Sequence, residues 1–167
     1  DLWVINGRIN EIWQSGFDDL LRRPFIASRW PDNFIEIHPE DAARLGIESG
    51  DEVEVINDRI PIQDFAHEAK SLKEEQFDHL LQAGKIRFAS ARVRAVALVQ
   101  EVPRPGVTFM YCLHPTEMAN SLVSRVPDPI SGNYRFKLGF GKIEKRGASP
   151  FKEDLSKMSF VSRNLRG

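Results

Sequence analysis

The 167-residue sequence has a single cysteine and no long run of apolar residues. Cys112 cannot form a disulfide within the chain, and one cysteine excludes zinc or iron–sulfur sites that need several thiolates. No apolar run approaches the roughly 18 residues that a membrane-spanning helix requires, so we expect no membrane insertion. These absences are typical of a globular domain without a cysteine-based metal centre of its own.

An excess of positive charge is also missing, because 23 Lys and Arg residues are balanced by 24 Asp and Glu residues. Nucleic-acid-binding domains usually show a basic excess, so we do not expect nucleic acid as a partner. The four histidines do not lie at metal-ligand spacing, and neither a phosphate-binding loop nor a nucleophile elbow occurs. We therefore expect no catalytic residue and no protein-ligated metal in this chain.

Alternating and apolar segments predict a mainly β protein with short helices. Predicted strands cover residues 2–5, 33–37, 52–56, 86–88, 92–99, 107–113 and 134–143. Helical turns are predicted between residues 14 and 29, ended by Pro24 or Pro31, and within residues 115–122. Together these elements indicate a β-barrel.

A short helix is predicted directly after the second strand. Pro39 suits the first helical position, and Gly46 suits the exit at the carboxyl end. Glu40 and Asp41 favour the positive end of the helix dipole. An acid–base role for these two carboxylates is the weaker interpretation.

Two regions depart from the β pattern. Residues 64–84 combine spaced apolar residues with many charges and end at Gly84, which predicts a helical insertion. Its charged side is interpreted as a solvated face, with docking to another domain or subunit as the alternative. From residue 145 the sequence is basic and polar. We therefore predict a barrel over residues 1–144, with an insertion at about 64–84, and an extended C-terminal tail over 145–167.

The first strand leads into Asn6, Gly7 and Arg8. Asn-Gly is a strong signal for a type I′ hairpin turn, so a plain turn is one interpretation. The other is a ligand site, because glycine permits close approach of the backbone and arginine binds anions. Asn10 and Glu11 follow, and they could meet amide-like edges of the same ligand.

Four segments together resemble the C-terminal molybdopterin dinucleotide-binding domain of DMSO reductase-family molybdoenzymes. They are residues 3–14, residues 34–55 with the pattern strand, HPEDAARLGI and GDEVEV, residues 104–110, and residues 119–144. The first segment is most similar to the large subunit of arsenite oxidase. His38 stands where asparagine is common in the family, and residues 64–83 look inserted relative to arsenite oxidase.

The resemblance implies a six-stranded double-psi β-barrel. It also implies a bis(molybdopterin guanine dinucleotide) cofactor with molybdenum or tungsten, shared with domains outside this chain and expected to be absent from the isolated domain. The implied partners are the remaining domains of a parent catalytic subunit and a small Rieske-type iron–sulfur subunit. A periplasmic location follows from the resemblance alone.

The resemblance also points to cofactor-binding residues. They are Asn6, Gly7, Arg8, Asn10, Glu11, Trp13, His114, Asn120 and Lys137. Three have alternatives: Trp13 is more often a core residue than a stacking platform, Asn120 could be a helix cap or a turn residue, and His114 could be a structural histidine. Lys137 has a plausible role with an anion.

The implied reaction of the parent enzyme is two-electron oxo transfer, with arsenite oxidation as the leading hypothesis. An oxyanion reductase acting on iodate or nitrate is the alternative within the family. A non-catalytic barrel that docks a partner through the insertion is the alternative from another class, because fold alone does not determine function.

Overall fold

The computed structural model describes residues 1–9, 22–64, 71–74, 76–115 and 117–158. The predicted site residues Asn10, Glu11 and Trp13 lie outside these ranges. Within them, the strands are β1 (Leu2–Gly7), β2 (Phe34–Ile37), β3 (Asp51–Gln63), β4 (Ile86–Val99), β5 (Val107–Tyr111) and β6 (Leu138–Ala148). The α-helices are α1 (Pro24–Arg29), α2 (Pro39–Leu45) and α3 (Phe77–Gln82), and 3₁₀ turns form at Ala119–Leu122 and Leu155–Lys157.

The six described strands close into a barrel in the order β1–β5–β2–β4–β3–β6. The pairs β1–β5 and β2–β4 are parallel, and the other four pairs are antiparallel. The prediction of a mainly β, six-stranded barrel with short helices is confirmed. Closure leaves no free edge strand in this barrel.

The barrel interior is filled by side chains that alternate along the strands. In β1, residues 2, 4 and 6 are buried while 3 and 5 are exposed, as the twofold period of a strand requires. Wholly buried members of the interior include Val4, Ile35, Ile37, Val53, Val55, Met110 and Leu122. This packing accounts for the valine-rich and isoleucine-rich sequence of the strands.

Two predicted strands were too short. The separate strands predicted at 86–88 and 92–99 are one strand, β4, and the strand predicted at 52–56 belongs to β3, which continues to Gln63. β3 and β4 form a long antiparallel ladder, with a register shift between Asn57 and Ile60. Backbone pairing holds the outer part of this ladder together, although its side chains are largely exposed and give little apolar signal.

The helix prediction around the prolines holds in part. Arg22 is helical, Pro24 begins the next helix, α1, and α1 ends at Arg29, before Pro31. α2 has the predicted start at Pro39 and leaves through Gly46, whose φ is +66°. The residues predicted to form turns before position 22 lie outside the described part of the chain.

Asp41 shows why the two carboxylates of α2 are structural. Its side chain is buried, Arg44 Nη2 donates to Oδ1 at 2.7 Å, and the Gly106 amide donates to Oδ2 at 2.6 Å. Burial alone would raise the pKa of Asp41, but these donors outweigh it and hold the pKa below its usual range. Asp41 thus ties α2 to the turn before β5.

Residues 145–158 are not the extended tail predicted from their polarity. β6 continues to Ala148 in register with β3, so the boundary predicted at residue 144 falls inside a barrel strand. Beyond it, Met158 is fully buried in a second cluster, outside the barrel, together with Trp30, Phe34 and Tyr111. Residues 159–167 lie outside the described ranges.

The described part of the predicted insertion contains α3. Leu80 is fully buried against Ile86 and Val126, and Gly84 ends the helix with a φ of +69°. Residues 65–70 and 75 are outside the description. None of the helices in the described ranges is long and apolar enough to cross a membrane.

Candidate functional site

The carboxyl ends of β1 and β5 meet at one end of the barrel, because these neighbouring strands run parallel. Gly7 pairs in register with Tyr111. The Cys112 amide then donates to the Gly7 carbonyl at 2.9 Å. The backbone that carries Asn6, Gly7 and Arg8 is therefore held beside the residues that follow β5.

Two distant segments reach the same place. The Asn120 amide donates to the Cys112 carbonyl at 3.4 Å, and the Asn6 amide donates to the Lys137 carbonyl at 3.0 Å. The structure thus brings together five of the residues that the sequence singled out. We call them the β1-end cluster: Asn6, Gly7, Arg8, Asn120 and Lys137.

Asn6 carries the least expected feature of this cluster. Its side chain points inward like those of Leu2 and Val4, and it is 2% exposed. Among the residues that the structure describes, none forms a hydrogen bond with its Nδ2 or Oδ1. A buried amide without partners costs about 1–3 kcal/mol per lost group, so its presence calls for an explanation. A bound polar ligand that pairs with both atoms would provide one.

Asn120 offers a second buried acceptor at the same end. It lies in the 3₁₀ turn Ala119–Leu122, and its Oδ1 is buried without a partner. Ala119 and Leu122 of that turn are fully buried in the barrel interior, which fixes the turn in place. Its side-chain oxygen does not cap the turn, because the residue before the turn, Met118, is in the N-cap position. Asn120 is therefore not a helix cap, although it is a turn residue, as the other half of that alternative expected.

Positive charge surrounds these amides. Arg8 and Lys137 are both exposed. Burial raises the pKa of the Cys112 thiol above its usual range, while the charges of Lys137 and Arg8 act in the opposite direction. Arg8 directly follows Gly7, and the Lys137 carbonyl accepts from the Asn6 amide, so both residues belong to this end of the barrel. Lys137 Nζ also lies 5.9 Å from the centre of the Phe136 ring.

Gly7 does not form the hairpin turn that was one interpretation of the sequence, and its place beside a ligand stays a prediction. It ends a barrel strand and does not have a positive φ, so the type I′ hairpin is wrong. A Cβ atom on Gly7 would lie 2.7 Å from Cε2 of Phe109. The absence of a side chain is therefore explained by the neighbouring ring. Gly7→Val would disturb packing and is a poor test of ligand binding.

His114 forms an interior contact. Its ring is 2% exposed, and Nε2 donates to the Trp30 carbonyl at 2.9 Å. Burial lowers the pKa of His114, which favours the neutral ring. The ring also meets Tyr111 edge to face, with centroids 6.4 Å apart. These contacts support a structural role for His114 over a role in cofactor binding, the two interpretations that the sequence left open.

Cys112 is a site neighbour that the sequence analysis used only to exclude disulfides. The available signal was its position just after an apolar strand predicted at 107–113. This position points to the site only if β5 is known to lie parallel to β1, and a single sequence does not show that pairing. Asn10, Glu11 and Trp13 stay predictions, since they lie outside the described residues.

The β1-end cluster can bind and orient, and it lacks a catalytic pair. Its side chains are amides and cations, which suit the amide-like edges of a heterocycle and the charge of a phosphate. Among the described residues, no three His, Cys, Asp or Glu side chains are grouped so that they could hold a metal ion. The polar groups of the cluster, with both amide atoms of Asn6 and the side-chain oxygen of Asn120 buried without a partner among the described residues, fit a pterin dinucleotide.

The sequence is similar to proteins that bind such a cofactor. Residues 2–73 match the family model described as "Molydopterin dinucleotide binding domain". The chain is 46% identical over 165 residues to the iodate reductase subunit IdrA of Pseudomonas sp. (strain SCT). It is 45% identical over 167 residues to the same subunit of Denitromonas iodatirespirans. Over 71 residues, 42% of the chain, it is 44% identical to the arsenite oxidase subunit AioA of Herminiimonas arsenicoxydans.

This chain spans only a small part of the length of these relatives. The two iodate reductase subunits match 99% of this chain, but the chain spans only 18% of their length. The structure is similar to acetylene hydratase from Pelobacter acetylenicus, with a TM-score of 0.50 and 14% identity. That match covers 86% of this chain and 18% of the hydratase, and it supports the fold.

Proposed function

Because this chain belongs to the DMSO reductase family of molybdoenzymes as a molybdopterin dinucleotide-binding domain, we propose that its β1-end cluster holds one arm of the cofactor. The observation that carries the proposal is the buried amide of Asn6, whose two polar atoms have no partner. It lies in the same cluster as Arg8 and Lys137, the two exposed cations. An amide beside two cations suits a ligand with both a heterocyclic and an anionic part.

Each residue has a separate task in this proposal. Asn6 and Asn120 would bind polar edges of the pterin, where hydrogen bonds orient the ring. Arg8 and Lys137 would bind the pyrophosphate, as cations do in many phosphate sites. Asn10, Glu11 and Trp13 remain proposed contacts on the evidence of the sequence resemblance.

The bound group is proposed to be bis(molybdopterin guanine dinucleotide) with molybdenum, or tungsten, shared with other domains of the parent enzyme. When bound, it supplies two-electron redox chemistry with oxo transfer. This domain contributes binding and orientation. The barrel interior next to Asn6, packed with Val4, Met110 and Leu122, keeps water away from that side of the site.

For the substrate of the parent enzyme, we propose iodate ahead of arsenite. Relatives named as iodate reductase match nearly the whole chain, whereas the arsenite oxidase subunit matches 42% of it. Iodate is the first candidate, and arsenite oxidation is the second. A periplasmic location and a Rieske-type iron–sulfur partner remain proposals with the same basis.

The test of cofactor binding uses the full-length parent protein. We expect metal and about two guanine nucleotides per polypeptide, as the bis-dinucleotide form requires. Arg8→Ala combined with Lys137→Ala should lower both contents at least fivefold, because two phosphate-binding cations are lost. Elemental analysis and nucleotide release measure the contents.

A matched control is Arg92→Ala, which removes an exposed arginine on β4 whose contact with Glu54 is 3.7 Å long. It should leave both contents unchanged. Full metal and nucleotide content in the double variant would contradict the assignment of the β1-end cluster. A folded native protein with neither metal nor nucleotide would favour the non-catalytic barrel instead.

The substrate is tested separately by assays of the loaded enzyme with iodate, nitrate and arsenite. Iodate reduction with an artificial electron donor should be the fastest reaction. Arsenite oxidation without iodate reduction would contradict the preference for iodate and leave the cofactor assignment intact.

A further inference from the structure

The outer face of β1 and β6 exposes four large apolar side chains in one patch. Trp3 and Ile5 project outward from β1, and they pair in register with Phe140 and Leu138 of β6. All four are between 40% and 49% exposed. The rings of Trp3 and Phe140 meet edge to face with centroids 5.1 Å apart. We call these four residues the outer apolar face.

A groove of about 500 Å³ continues this face. Its apolar lining includes Ile5, Val102, Val107 and Phe109, so Ile5 belongs to both surfaces. Glu36 also lines the groove, and its carboxyl group is largely buried. Arg104 lines the groove as well, so one acid and one cation accompany its apolar side chains and can contact polar groups of a partner.

Other outward positions of the barrel are charged instead. On β3 and β4, Glu54 forms ion pairs with Arg92 and Arg146, and Arg94 binds Glu117. The four residues of the outer apolar face differ from these charged positions, although single exposed apolar side chains such as Phe88 occur elsewhere. A contiguous apolar surface on one side of a barrel marks a surface that contacts protein.

We propose that the outer apolar face and its groove pack against the rest of the same polypeptide in the parent enzyme. The relatives that match 99% of this chain are more than five times as long, since it spans 18% of each. Most of such a polypeptide lies outside the part that matches this chain, and it needs a surface on which to pack. The inference uses the proposed function only for the existence of that larger chain.

β1 connects the outer apolar face to the β1-end cluster. Ile5, on the outer apolar face, is adjacent in sequence to Asn6, in the β1-end cluster. A domain seated on Trp3 and Ile5 would therefore lie against the strand that carries the cofactor contacts. Docking on this face would hold the β1-end cluster next to the remaining part of the cofactor site.

The experiment is hydroxyl-radical footprinting of the purified full-length catalytic chain. Phe140 and Phe88 are the same residue type, and their exposures in the present structure are 40% and 45%. Phe88 lies in β4 and is outside the proposed surface, so it is a matched internal control. We expect Phe140 and Trp3 to be oxidised at least fivefold more slowly than their intrinsic reactivity predicts, and Phe88 at its expected rate.

Three results would overturn the proposal. The first is oxidation of Phe140 as fast as that of Phe88 in the monomeric catalytic chain. The second is protection that disappears on dilution, which would indicate a second copy. The third is protection that appears only when a separate subunit is added. Metal and guanine nucleotide contents of the same sample report on cofactor binding independently, so the two proposals fail separately.

A variant provides a second readout. Phe140→Ser in the full-length chain should raise the oxidation of Trp3 at least threefold, because the contact is weakened. Phe88→Ser should leave Trp3 unchanged. An unchanged Trp3 in a folded Phe140→Ser protein would also count against the proposal.

Discussion

At the scale of single residues, Asn6 separates binding from stability. A core position normally holds either an apolar side chain or a polar one with partners. Among the described residues, the polar side chain of Asn6 has no hydrogen-bond partner, whereas that of Asn33 has several. Asn33 Nδ2 donates to the carbonyls of Tyr111 and Glu117 at 3.1 and 2.8 Å, and its Oδ1 accepts from the Phe34 amide.

The comparison of Asn6 with Asn33 predicts different effects on stability when each is replaced by leucine. Asn6→Leu should leave the free energy of unfolding of this chain unchanged or raise it by about 1–2 kcal/mol, because an unpartnered buried amide is removed. Asn33→Leu should lower it by about 3 kcal/mol, because its backbone partners lose their hydrogen bonds. Urea unfolding measures both values.

In the full-length enzyme, cofactor content should be affected more by Asn6→Leu than by Asn33→Leu. Asn6→Leu should lower guanine nucleotide content while the protein stays folded. A loss of stability in Asn6→Leu as large as that in Asn33→Leu would show that Asn6 is a structural residue.

At the scale of elements, β3 and β6 are joined by a buried carboxylate. The Asp51 side chain is 2% exposed and contacts Lys145 Nζ of β6 at 2.8 Å and Lys152 Nζ at 3.0 Å. The Glu48 amide donates to the same carboxylate at 2.7 Å. Burial alone would raise the pKa of Asp51, but these partners hold it below the usual range. The segment after β6 is thereby fastened to the barrel.

The pH dependence of stability follows from that shift. A carboxylate whose pKa is lower in the folded state stabilises the fold above about pH 4 and loses this effect as the pH falls through its folded pKa. Asp51→Asn should lower the free energy of unfolding by about 2 kcal/mol at pH 7. The difference between the two proteins should shrink as the pH falls below about 4.

Chemical unfolding at a series of pH values measures this difference. Glu144→Gln is a suitable control, because Glu144 is an exposed acid of β6 that contacts Lys142 and Arg146. It should change stability by less than about 0.5 kcal/mol. An Asp51→Asn effect that is independent of pH would contradict the ionic explanation.

At the scale of the whole molecule, a second apolar cluster unites parts of the chain that are far apart in sequence. Trp30 follows α1, Tyr111 ends β5, and Met158 follows the last 3₁₀ turn. These side chains pack outside the barrel interior. The final described segment is therefore part of the fold and does not hang from it.

Met158→Ala tests that conclusion. Removal of a fully buried methionine side chain should lower the free energy of unfolding by about 2–4 kcal/mol. Thermal unfolding of the chain measures the change. Met118→Ala is the matched control, since Met118 is 52% exposed and should cost less than about 0.5 kcal/mol. Equal, small effects would restore the extended tail that was predicted from the sequence.

Much of the architecture could be predicted because it depends on local patterns. The twofold alternation of β1, the proline start of α2 and the Gly46 exit are all encoded within a few residues. The sequence resemblance then supplied the barrel topology and most members of the β1-end cluster. The tail prediction failed because the contacts that hold this segment are not local. Residues 145–158 are polar in composition, and their anchors, Asp51 and Trp30, lie more than 90 positions away.

The sequence by itself determined the class of the protein, the short helices and the cations and amides offered to a ligand. Only the tertiary structure decided which amide lacks a partner, why position 7 is glycine, and that His114 bonds to Trp30. It alone also showed that Trp3, Ile5, Leu138 and Phe140 share one face. The physical reason is that the burial of a side chain and its hydrogen bonds depend on its neighbours in space. When the barrel closes, those neighbours come from strands that are distant in the sequence.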